Sequence, residues 1–276
     1  MSMVELAPQH KTGLRLSNPV MVAAGCYGLG IEYRALLEVG ALGAVVVGPV
    51  TMRARPGAAP PRSLPVPGGV LLHTGLANPG LPTTLHRYGR AWKRSAVPVI
   101  LHLAATSPGE VVAACRRLNT AETVSGVELG LRDDTEPDEA AALVAAAREV
   151  IRQPLLVRLP LTGTTSLAAR AVEAGADVLT VAAPPRGTVL HQGRFVTGRL
   201  YGPFTLPLAL RALRRVTKVV DVPLVGCGGI YSADDALAFL RAGATAVQVD
   251  AALWRDPSSP ARIAREVAAR LGRETR

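Results

Sequence analysis

The sequence predicts an α/β chain folded as a (β/α)₈ barrel, and three observations carry that expectation. Short aliphatic and β-branched runs recur eight times, alanine- and leucine-rich stretches of helical period separate them, and a helix–glycine–strand step is written twice, in EAGADVL and RAGATAVQV. In order, the runs are Val20–Ala23, Ala44–Val47, Val99–Leu103, Val127–Leu131, Leu155–Leu159, Val178–Ala182, Leu224–Gly226 and Ala246–Val249. They are apolar almost throughout, which suits parallel strands covered by helices.

The helices carry readable ends. Ser232-Ala-Asp-Asp235 sets a serine N-cap three residues before a carboxylate, a capping box opening ALAFL. Pro108 and Pro137 stand where a first helical turn begins. Gly40, Gly175 and Gly243 each close a helical stretch and precede a strand. One long insert, about residues 51–81, is rich in Pro and Gly and follows the second strand at its C-terminal end. Barrels place their sites at that end, so the insert is expected to serve function.

A chain of 276 residues is long enough to bury a large core, and a single barrel domain over 1–276 is the economical expectation. The formal charge of +10 comes mostly from scattered arginines, with lysine only at 11, 93 and 218 and aromatics at 4%. Without base-stacking platforms, this argues against specific nucleic-acid binding. The densest basic stretch, Arg262 to Arg276, reads as the solvated face of a last helix. Cys26, Cys115 and Cys227 are far apart with no C-x-x-C, so neither a metal site nor a disulfide framework is expected. No secretory pattern opens the sequence and no apolar run is long enough to span a bilayer, so the expectation is a soluble cytoplasmic protein with no membrane contact.

Several ordered motifs resemble the dihydroorotate dehydrogenase family, from about Gly13 to Leu271. They are LSNPVMVAAGCYGLGIEY (Leu16–Tyr33), GALGAVVVGPVT (Gly40–Thr51), PGGVLLHTGLANPG ending at Gly80, YGPFTLPLAL (Tyr201–Leu210) and VPLVGCGGIYSADDALAFLRAGATAVQV (Val222–Val249). The resemblance implies an FMN over the C-terminal mouth of the barrel. It implies a phosphate held by backbone N–H groups after strands seven and eight, a ring held by lysine and asparagines, and orotate held by asparagine side chains. On those motifs, Ala23, Ala24, Gly25 and Gly202 match the small residues beside the flavin, and Gly228, Gly229 and Ala251 fall in the phosphate turns.

The chemical groups depart from the pattern. The lysine after strand two falls on Gly48, and asparagines fall on Leu72, His102, Gly130, Thr135 and Ala183. The proton-abstracting cysteine falls on Asp133, and the strand-five lysine on Arg158. Asp250 stands where the family has a phosphate-cradling glycine, a like-charge contact that argues against FMN. The loops after strands four and six look short, which would strip the lid from the mouth.

Single residues keep two readings each. Asp133 and Asp134 suit either a repurposed base or an acidic turn opening a helix. His102 suits either catalysis or a satisfied core position, and His73 is the weaker parallel case. Arg158 needs an anion, which is Asp250, Asp133 or a ligand. Asn78 reads as a loop cap, and Arg53, Arg55 and Arg62 as loop charge around the mouth.

These departures lead to an expected function of a repurposed, non-catalytic homologue serving as a binding or assembly subunit. Its partner would be a second copy of itself or an acidic protein. The alternatives are an FMN-dependent oxidoreductase acting on a substrate other than dihydroorotate, and an FMN-free lyase or isomerase using Arg158, His102 and Asp133.

Overall fold

The computed structural model describes residues 3–33 and 35–274. Eight parallel strands close into a barrel in sequence order: β1 (Val20–Val22), β2 (Ala44–Val50), β3 (Val99–Ala104), β4 (Gly126–Gly130), β5 (Leu155–Leu159), β6 (Val178–Val181), β7 (Leu224–Cys227) and β8 (Ala246–Val249). The predicted runs match these strands to within one residue at each end. The exception is β2, which runs on through Gly48-Pro49-Val50 into the mouth.

Alternation along the strands stacks the barrel interior in layers. The lower layer is apolar, with Met21, Val46, Ile100, Leu156, Val178 and Val225 in one buried cluster. Below it, the hairpin Val4–Glu5 and Arg15–Leu16 brings Leu6, Ala7, Leu14 and Leu16 into the same cluster and closes the bottom of the barrel. Two residues further along the strands come His102, Glu128, Arg158, Thr180, Cys227 and Gln248. The interior therefore turns from apolar to polar within one layer, on the side of the strand C-termini.

The covering helices are α1 (Leu81–Lys93), α2 (Pro108–Ala121), α3 (Pro137–Val150), α4 (Thr164–Glu173), α5 (Leu206–Val216), α6 (Ala233–Arg241), the short α7 (Ala252–Arg255) and α8 (Ser259–Glu274). Pro108 and Pro137 open their helices, and Ser232 and Asp235 form the reciprocal capping box. Gly175 and Gly243 take positive φ just past α4 and α6. Gly40 behaves differently, since it lies in a 3-10 turn (Val39–Ala41) and no α-helix is described between β1 and β2. Turns replace it there. The Glu32 carboxylate accepts the backbone N–H groups of Leu29, Gly30 and Ile31, and Gly28 and Gly30 hold positive φ, a geometry a helix cannot include. The basic face of α8 is partly paired, with Arg265 on Glu38 and Arg270 on Asp234.

The mouth is not stripped. The segment after β4 is short, residues 131–136, but the one after β6 forms a hairpin, Arg186–His191 with Arg194–Tyr201. That hairpin pairs with a second one from the long insert, Ser63–Val66 and Gly69–Leu72, giving a four-stranded antiparallel sheet over the mouth. Gly198 is required where the two hairpins meet, because any Cβ there would collide with the Leu72 carbonyl. Asn78 fixes the base of the insert as a loop cap, accepting from the N–H of Thr51 and Gly80 and donating to the Leu76 carbonyl.

Ser232→Ala removes one half of the capping box on α6. The expected loss is about 1 kcal/mol, read as a lower urea midpoint with unchanged slope. An unchanged midpoint would show that the cap carries no stability.

Candidate functional site at the barrel mouth

A cavity of about 470 Å³ opens at the C-terminal ends of the strands, between the barrel and the antiparallel sheet. His102, Gly130 and Arg158 line it from the barrel, while Arg62, Arg199 and Tyr201 line it from the hairpins. A larger, more open groove of about 820 Å³ lies between α1 and α2, edged by exposed Arg90, Lys93, Arg116 and Arg117. Those are solvated helix faces, and the converging polar groups are at the mouth.

The centre of the polar layer is Glu128, fully buried on β4. Its Oε2 lies 2.6 Å from Nδ1 of His102, its register partner on β3. Its Oε1 accepts from Thr180 Oγ1 on β6 at 2.7 Å and from Gln248 Nε2 on β8 at 2.8 Å. Burial pushes the Glu128 carboxyl up, but the His102 ring, the Arg158 charge and the Gln248 amide outweigh it and bring it down to about 2. Glu128 is therefore an anion, so Nδ1 of His102 donates and Nε2 faces the other way. On that side a Cβ at position 130 would stand 2.5 Å from Nε2. Gly130 is thus the space the imidazole occupies, and the two departures from the resembled pattern, His102 and Gly130, fit each other.

Arg158 is 4% exposed on β5, beside Gly130 in the register. Its Nη2 donates to the Cys227 thiol at 3.2 Å, and its Nε has no partner. Among the described residues it makes no ion pair, so the Arg158–Asp250 and Arg158–Asp133 pairings open in the sequence are both absent as direct contacts. Burial pushes the Cys227 thiol up to about 12, against the pull of Arg158, so the sulfur is a neutral and weak acceptor.

Asp250 is buried after β8 and turned onto backbone. Its Oδ1 accepts the Ala251 N–H at 2.6 Å, and the Gly229 N–H lies near enough to favour the charged carboxylate. Burial raises its pKa, while those N–H groups and the Arg158 charge oppose the rise. Gly228 and Gly229 are themselves buried, packed against Ala209 and the Thr205–Leu206 start of α5. Ala23 and Ala24 are buried and Gly25 is exposed, with the Tyr201 hydroxyl 3.5 Å from where a Gly25 Cβ would be. Tyr201 packs edge-on against Trp254, centroids 4.9 Å apart. Gly202 follows Tyr201 and opens a 3-10 turn, where a Cβ would strike the Gly68 carbonyl.

Asp133 is ion-paired across the mouth. Arg199 holds it through both terminal nitrogens at 2.7 Å, which straps the segment after β4 to the hairpin after β6. Asp134 is exposed and paired with Arg132. His73 does not line the cavity, whereas Arg62 does, its Nε donating to the Ala58 carbonyl at 2.6 Å. Sequence reasoning missed Glu128, Thr180, Gln248, Arg199 and Tyr201. The first three were readable as lone polar residues at one inward level of otherwise apolar strands.

The geometry defines a class, a (β/α)₈ barrel whose polar chemistry gathers at the strand C-termini beneath a β-sheet cover. Residues 7–271 match the family model described as dihydroorotate dehydrogenase. The chain is 36% identical over 273 residues to the dihydroorotate dehydrogenase B (NAD(+)) catalytic subunit of Desulforudis audaxviator, covering 92% of this chain and 89% of that one. Proteins of the same description from Pelobacter propionicus and Geobacillus kaustophilus are 35% and 36% identical, over 91% and 89% of this chain and 89% and 84% of theirs. The chain belongs to the dihydroorotate dehydrogenase family. Among the described residues, no helix is long and apolar enough to cross a membrane, and no group of three or more metal-ligating side chains converges.

Two outcomes follow from the Glu128 hub. Because the folded-state pKa of Glu128 lies below its ordinary 4.5, its contribution is present above that value and is lost as pH falls through about 2. The urea midpoint should fall more steeply over that window in the wild type than in Glu128→Gln, and equal slopes would contradict the hub. Gly130→Ala should displace the His102 ring and shift its imidazole NMR signals, which an unchanged His102 spectrum would refute.

Proposed function

We propose that this chain is a repurposed member of its family that does not oxidise dihydroorotate and serves as a binding or assembly subunit. The observation that carries the reading is Asp250. Its carboxylate takes the Ala251 N–H and stands beside the Gly229 N–H, in the turns that the family resemblance assigns to the FMN phosphate. A phosphate dianion there would have to displace a buried carboxylate from its own hydrogen bonds and then sit beside it. The burial of Gly228 and Gly229 under the start of α5, and of Tyr201 beside Gly25, works in the same direction. The residues present do not fit FMN in its expected place.

The second support is the set of side chains at the cavity. The positions that the resemblance assigns to asparagines, a lysine and a proton-abstracting cysteine hold His102, Gly130, Gly48 and Asp133, and Asp133 is locked to Arg199. The carboxylate at the proton-abstracting position is thus tied up in an ion pair, and no amide set for the carboxylate and imide groups of dihydroorotate is left at those positions.

The relatives are named as catalytic subunits, and a subunit habit is the part of that description carried over here. The mouth sheet offers a contact point, because Leu190 and Phe195 face each other across the hairpin and are 66% and 80% exposed. Charge favours an acidic protein as partner of so basic a molecule, while a second copy would have to pair through the apolar contact point.

The test is turnover. The purified protein, supplied with FMN and with quinone, fumarate or NAD as acceptor, should form no orotate from dihydroorotate. Orotate formation that scales with enzyme concentration would overturn the proposal and favour a working flavin-dependent oxidoreductase.

A further inference from the structure

Arg158 and His102 line one cavity, and each leaves bonding capacity unused. A guanidinium that is 4% exposed is costly unless an anion meets it, yet this one has a neutral thiol on Nη2 and nothing on Nε. Glu128 and Asp250 reach it only as charges at a distance, since each is spent on its own hydrogen bonds. His102 is held by its Nδ1, and its Nε2 has no hydrogen-bond partner among the described residues. The ring stands over Gly130, and Gly130 is the register partner of Arg158. The ring of His102 and the side chain of Arg158 thus flank one position of the barrel floor, and both line the same cavity.

The rest of the lining agrees in sign. Arg62 spends its guanidinium on the carbonyls of Ala58 and Pro56, with no carboxylate, so its charge is not neutralised. Arg199 is balanced by Asp133, and Arg132 by Asp134 and Glu139. The acidic member of the lining, Glu32, is capped by three backbone N–H groups. The cavity is thus positive at its floor and near one edge, and its volume of about 470 Å³ suits a small molecule.

We infer that the mouth binds a small oxyanion carrying a hydroxyl group, with the anion on the Arg158 guanidinium and the hydroxyl on Nε2 of His102. Hydrogen phosphate has this chemistry, and so does a carboxylate with a neighbouring hydroxyl. Glu128 is a positioning residue for this site, since its bond to Nδ1 fixes the ring and turns Nε2 away from it. The site rests on the flavin-free reading above, because a flavin ring at the mouth would fill the same space.

The experiment follows the His102 ring nitrogens by NMR in histidine-labelled protein, with His102→Asn assigning the signal among the five histidines. Inorganic phosphate and glycolate are titrated separately at constant ionic strength, with chloride as the control. A saturable shift of Nε2 with either probe, absent with chloride, is expected. A response to phosphate alone assigns a phosphoryl ligand, and a response to glycolate alone assigns a hydroxycarboxylate. Arg158→Gln should weaken binding at least about tenfold, or about 1.4 kcal/mol. If that variant does not fold, Arg158→Lys keeps the charge but loses the fork, and should weaken binding several-fold. No saturable shift with either probe, or equal affinity in the Arg158 variant, overturns the inference. That failure is distinct from orotate formation, which would overturn the function proposed above and leave the His102 result to be read by itself.

Discussion

A buried carboxylate organises this barrel. Glu128 sits on β4 with no exposure and draws donors from β3, β6 and β8, so three strands in addition to its own are tied to one charge. An ionised carboxylate alone in that place would cost several kcal/mol, and the donors offset the cost only because all reach it at 2.6–2.8 Å. The His102 ring is fixed by that bond, the missing side chain at Gly130 gives the ring room, and the floor of the mouth takes its shape from both. Removing one donor leaves a buried charge underpaired, and this is why the polar layer behaves as a unit.

A similar logic recurs at the next turn of chain. Asp250 caps the backbone N–H of Ala251 beside that of Gly229, supplying from within the protein the negative charge that such a turn attracts. Tyr201 and Trp254 pack together beside Gly25, and Trp254 also donates to the Cys26 carbonyl. On the proposed reading, the protein has met the electrostatic and packing needs of a cofactor site with its own side chains. Arg158 is the group that this internal settlement leaves short of a partner, which makes it the natural anchor for a ligand.

The barrel was legible because its signals are local. Eight apolar runs, two helix–glycine–strand steps and a capping box each depend on neighbouring residues, and each appears where the pattern places it. The antiparallel cover was not legible, because SLPV and GVLL lie in a Pro/Gly-rich insert and pair with a hairpin more than a hundred residues away. The missing helix between β1 and β2 reflects three backbone N–H groups captured by Glu32, a contact that spacing alone does not reveal. At the site, His102, Arg158 and Asp250 drew attention by occupying positions of known role in the resembled family. Glu128 escaped because it matched no such role. The exposed acidic turn read at Asp133 is instead an ion pair with Arg199, a partner 66 residues away.

The central claim is that the protein itself occupies the place of the flavin phosphate, and the absorbance of the purified protein tests this most directly. The visible and near-ultraviolet spectrum is recorded after incubation with excess FMN and desalting, alongside Asp250→Gly. The account predicts a colourless wild type, with any retained flavin found in the glycine variant, whose turn is freed of the carboxylate. A wild-type protein that keeps FMN at near-stoichiometric occupancy would contradict it.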